Sequence, residues 1–83
     1  MATALRLYEE SCADSERILG VDHPGTLVRR VHLAHALYAV GRIGDATMML
    51  RETVDMCERI LPPEDALTKT ARESLENIAG TSG

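Results

Sequence analysis

The chain has 83 residues, a net charge of -4 and a pI near 5.2. No stretch of Lys or Arg is longer than Arg29-Arg30, which argues against a nucleic-acid-binding face, and no run of about 18 apolar residues exists to span a membrane. Two Tyr with no Trp or Phe leave the core to Leu, Ile, Val, Met and Ala, enough for one domain at most.

A first helix is expected over about 3–19. Leu5, Tyr8, Cys12, Ser15 and Leu19 step by three and four and make one buried stripe, opposite Arg6, Glu9, Glu10, Asp14 and Arg17. Gly20 follows the last apolar residue, where a left-handed helix cap favours glycine. After the turn Gly20-Val21-Asp22-His23, Pro24 suits the first position of a second helix, about 24–40. Leu27, Val31, Ala34 and Leu37-Tyr38 hold its apolar positions, Leu33 widens the stripe, and Gly41 closes it. The third helix, about 43–61, sets Asp45 against the positive end of its dipole. It is expected to bury Ala46, Leu50, Thr53, Val54, Cys57 and Leu61, and Pro62-Pro63 ends it. The fourth, about 63–79, starts with Glu64 and Asp65, carries a thinner stripe of Leu67, Ala71, Leu75 and Ile78, and is expected to stop at Gly80. Such short connections make consecutive helices antiparallel.

The elements repeat. Glu16-Arg17-Ile18-Leu19 returns as Glu58-Arg59-Ile60-Leu61, an offset of 42 residues. The same offset pairs Ala4 with Ala46, Glu10 with Glu52, Thr26 with Thr68, Arg30 with Arg72 and Leu33 with Leu75. A fixed period of this size marks stacked supersecondary units, none of which buries its apolar face alone.

Leu33-Ala34, then Leu37, then Gly41, then Ala46 resembles the tetratricopeptide repeat. That pattern has Leu-Ala, a large apolar residue, Gly at the inter-helix turn and Ala at a close helix crossing. The 42-residue period and the turn from Gly20 to Leu27 look like the long-repeat variant of kinesin light chains and bacterial multi-repeat proteins. The resemblance covers about residues 4–79. It implies an all-α, antiparallel helix-hairpin stack, a fragment of an α-solenoid, with helices in the order B, A, B, A. Glu76 stands where Ala34 stands, which leaves the fourth helix open to being a solvated cap.

The resemblance also implies a role: a protein-interaction scaffold that binds a peptide or protein partner and performs no catalysis. First (A) helices of such repeats line a concave groove. Carried onto this chain, the groove positions are Val28, Val31, His32, His35, Tyr38 and Ala39, with Thr70, Glu73, Ser74 and Asn77 from the fourth helix. The lysine–asparagine set that clamps a C-terminal carboxylate is missing. Fewer than two repeats leave apolar edges open, so the chain is expected either to be a piece of a longer array or to associate into a homo-oligomer through those edges, end to end or across a symmetric interface. Two further readings are a self-associating structural oligomer, and the sensory or regulatory repeat tail of a larger ATPase or regulator.

Other chemistry has little support. His32 and His35 share a helix face but have no carboxylate at i±4, so no metal site is expected. Gly41-Arg42-Ile43-Gly44 lacks the Lys-Ser/Thr of a phosphate loop, and no nucleophile–base set or cofactor pocket is legible. Cys12 and Cys57, far apart and on helices, read as reduced and buried. The opening MATALRLYEESC carries early acids and no long apolar run, unlike a signal peptide. A cytoplasmic location is expected.

Overall fold

A computed structural model of the chain describes residues 2–82. Its element order is α1 (Ala2–Leu19), α2 (Pro24–Ala39), α3 (Ile43–Ile60) and α4 (Ala66–Ser82), with no strand among the described residues. Each helix packs on the next, and α2 also touches α4, so the chain forms a stack of helix hairpins. The principal extents are 31 × 30 × 16 Å, a slab about two helices thick.

The turns follow from local chemistry. Gly20 and Gly41 both adopt positive φ, +98° and +90°, a region that costs other residues energy. At the end of α2 the Gly41 N–H donates to the Tyr38 carbonyl and the Arg42 N–H to the Leu37 carbonyl, the paired bonds of a Schellman cap. His23 Nδ1 accepts the Gly25 N–H at 2.9 Å, so an imidazole caps α2, with Pro24 just inside the helix. One period on, Asp65 Oδ1 accepts the Leu67 N–H at 2.9 Å.

That cap corrects the expected start of α4. The helix begins at Ala66 rather than at Pro63, because Pro62 to Asp65 close a turn through the Asp65 N–H to Pro62 carbonyl bond. Nor does Gly80 stop it. Gly80 has no positive φ, and α4 runs on to Ser82.

The period is visible in the contacts. Thr26 and Thr68 are both fully buried and donate their hydroxyls to the carbonyls of Gly20 and Pro62. Arg30 pairs with Glu16 at 3.0 Å, and Arg72 pairs with Glu58, the same partners one period later. The core is Leu27, Val31, Leu33, Ala34 and Leu37 of α2, and Ala46, Leu50 and Cys57 of α3, closed by Cys12 on one side and Ala71 and Ile78 on the other.

Burial departs from expectation at the edges. Tyr8 is 42% exposed and Leu19 45%, and Leu5 is half-buried, so α1 lacks the continuous buried stripe its spacing suggests. One period later, Ala46 and Leu50 are fully buried, while the equivalent Ala4 and Tyr8 are exposed. The reason is positional: α3 lies between α2 and α4, whereas α1 packs on α2 alone. Leu33 is buried and Leu75 half-buried for the matching reason at the other end. Val54 and Leu61 are likewise half-buried, packed at the margin of the core.

Candidate functional site

The two A-type helices, α2 and α4, meet on one face of the slab. His35 Nε2 lies 2.9 Å from Ser74 Oγ, which ties the helices together and gives the buried serine hydroxyl a partner. Around this bond His35, Tyr38, Ser74, Asn77 and Ile78 line a cleft of about 160 Å³. A second cleft, about 330 Å³, opens between α1 and α2 and is lined by Tyr8, His32, His35 and Ala39 among others. There the rings of Tyr8 and His32 meet edge to face, centroids 6.3 Å apart. His35 borders both clefts.

The groove residues named from the sequence therefore divide. His35, Tyr38, Ser74 and Asn77 converge on the α2–α4 cleft, and His32 and Ala39 on the α1–α2 cleft. Val28, Thr70 and Glu73 are exposed and line neither. Val31 does not belong to the surface: at 4% exposure it sits in the core, on the same stripe as Leu27 and Ala34, one helical turn away from each. Ile78 of α4 and Leu5 and Tyr8 of α1 line the clefts without having been named. The period held the clue for Tyr8. It occupies the position of Leu50, but among the described residues no helix takes, beside α1, the place that α2 takes beside α3.

The reactive groups are set apart from these clefts. Cys12 and Cys57 are free and buried. Burial pushes the Cys12 thiol up from its ordinary value of 9.0, with the Glu16 carboxylate adding to the effect. Burial also raises the Cys57 thiol, helped by Asp65 and Glu58. A thiol held protonated is a poor nucleophile. The raised values carry a sign for stability. Below the unfolded value both states keep the proton. Above it the unfolded chain releases its proton first, so stability falls as pH rises toward the folded value. Urea unfolding midpoints should therefore decline between about pH 7.5 and pH 10, and Cys57→Ala should show a shallower decline. A decline of equal slope in that variant would remove Cys57 as a source. Among the described residues, no group of three His, Cys, Asp or Glu side chains is placed to hold a metal, and no helix is long and apolar enough to cross a membrane.

Hairpins stacked at a fixed period, with pockets along the A helices, define a helical-repeat protein. A family model described as tetratricopeptide repeat matches residues 2–25 and 26–66. The human protein "Tetratricopeptide repeat protein 19, mitochondrial" is 38% identical over 61 residues, covering 74% of this chain and 16% of that protein. Its rat counterpart is 34% identical over 64 residues, covering 77% of this chain and 18% of that protein. No solved structure matches. The chain belongs to the tetratricopeptide-repeat family. It spans about a sixth of the length of these two relatives.

Proposed function

We propose that the chain is a protein-interaction module that receives a segment of a protein partner across its α2–α4 face, without catalysis of its own. Tetratricopeptide repeats generally mediate protein–protein interaction, and the match covers α1, α2 and α3. The observation that carries the reading is the convergence of His35 and Tyr38 from α2 with Asn77 and Ile78 from α4 on one cleft. Apolar walls and a few directed polar groups suit a peptide side chain that docks while its backbone hydrogen-bonds at the rim. Val28, His32 and Glu73 extend that rim along the exposed sides of the two helices. The buried thiols and the lack of a legible nucleophile–base set favour binding over chemistry.

The test is affinity capture with the wild-type chain against His35→Ala and Tyr38→Ala, followed by titration of the captured protein. Truncation at the cleft should weaken binding about tenfold or more. His35→Ala should cost about 1 kcal/mol of stability, the worth of its bond to Ser74. His32→Ala, an exposed change, should stay within about 0.5 kcal/mol. Unchanged affinity in both cleft variants would reject this face as the binding site.

A further inference from the structure

The stack has a groove on the side of α2 away from His35. Leu33 and Leu37 lie two residues before and after His35, and so on the opposite side of the helix. They floor a cleft of about 270 Å³ between α1 and α3, two helices that do not pack on each other among the described residues. Its lining comes from α1, α2, the α2–α3 turn and α3, so it is not an open end of the stack. Met48 and Met49 of α3 flank the floor, and Met48 is 65% exposed. Glu9 of α1 and Glu52 of α3 stand exposed on the two walls. The other lining residues, Arg42 and Asp45, pair at 2.8 Å and cancel each other's charge, so two carboxylates remain in excess. Glu9 has no ion-pair partner among the described residues. Glu52 is approached by Arg30 Nη1 at 3.9 Å, while Nη2 of the same guanidinium holds Glu16 at 3.0 Å.

The repeat does not require this chemistry. One period away, Arg6 matches Met48 and Arg51 matches Glu9, and neither arginine lines the cleft. We propose that the groove seats a basic segment of a protein partner, with a large apolar side chain set over Leu33 and Leu37 and a lysine or arginine on either side of it against Glu9 and Glu52. The charges select this occupant. An acidic segment would meet like charge on both walls. A second copy of this chain, itself at a net charge of -4, would add repulsion rather than relieve it. The methionines suit the role, since an unbranched, polarisable thioether reshapes itself around whichever apolar side chain enters. The volume admits a side chain or two and not a whole helix, so the segment lies across the rim. The contact uses neither His35 nor Tyr38, so it stands or falls apart from binding at the α2–α4 cleft.

The experiment titrates the 83-residue chain, with its methionine methyl groups labelled for NMR, against two synthetic peptides of about 15 residues. Both are capped at their ends and carry leucines along one face; one has lysines flanking that face, the other glutamates at the same places. The lysine peptide should shift the methyl resonances of Met48 and Met49 and bind at least about tenfold more tightly than the glutamate peptide, by a margin that shrinks as salt is raised. Glu9→Lys and Met48→Asp, both at exposed positions, should each weaken the lysine peptide roughly tenfold while the far-ultraviolet circular dichroism stays unchanged. Glu9→Lys combined with Glu52→Lys should reverse the preference toward the glutamate peptide. His35→Ala and Tyr38→Ala should leave the lysine peptide bound as before. Equal affinity for the two peptides, no shift at Met48 and Met49, or full binding by Glu9→Lys would overturn the proposal. So would a wild type whose light-scattering mass exceeds that of one chain and returns to it in Met48→Asp, since the groove would then belong to a second copy.

Discussion

Leu50→Ala is expected to destabilise the fold by about 2–5 kcal/mol, the range for emptying a fully buried leucine site. At about 4–8 °C per kcal/mol for a domain of this size, the thermal midpoint should drop by on the order of ten degrees or more. Leu50 has no exposed surface and sits in α3, with α2 on one side and α4 on the other, so its loss leaves a cavity that two helices must close. Tyr8→Ala is the control. It removes a larger side chain from the equivalent position one period earlier, but one that is 42% exposed and packed on a single neighbouring helix. Its cost, measured in dilute solution, should be clearly smaller because less apolar area returns to water. Equal losses from the two variants would mean that place in the stack does not set burial.

The same contrast marks what could be read from the residues alone. Local chemistry was legible. Gly20 and Gly41 stand where the chain needs positive φ, and Pro24 stands just inside α2. The 42-residue offset was legible too, and it returned as matched contacts: the Thr26 and Thr68 hydroxyl bonds and the Arg30–Glu16 and Arg72–Glu58 pairs. Those contacts are local to one hairpin, so a repeated sequence reproduces them.

Burial at the ends was not legible, because it depends on which helices are neighbours rather than on helical spacing. Leu5, Tyr8 and Leu19 step as a core stripe does, yet α1 has only α2 against it. Val31 was open to two assignments, groove or core, since an apolar residue fits either; packing against the rest of the stack puts it inside. The α2–α4 cleft was half legible. The positions of His35, Tyr38 and Asn77 came from the repeat pattern, whereas the His35–Ser74 bond spans 39 residues and has no sequence signature. The start of α4 was misplaced because a proline at a first helical position and a proline inside a turn look alike until Asp65 is seen to cap Leu67.

Ala34→Leu carries the other large effect. Ala34 has no exposed surface and belongs to the core that α2 shares with Ala46 of α3, which is also fully buried. A leucine there adds three carbons to a filled space and should cost about 1–3 kcal/mol through displaced helices or strained rotamers. Leucine and alanine differ little in helix propensity, so the loss cannot be assigned to the helix itself. The period supplies a stringent comparison. Glu76→Leu places the same side chain at the equivalent position of α4, where the residue is exposed, and should shift stability by no more than about 0.5 kcal/mol. Denaturant midpoints of the two variants decide the matter. A drop confined to Ala34→Leu means that alanine is required where a hairpin closes and not where the stack faces water. If Ala34→Leu left the midpoint unchanged, the α2–α3 packing would have room that a fully buried alanine does not allow.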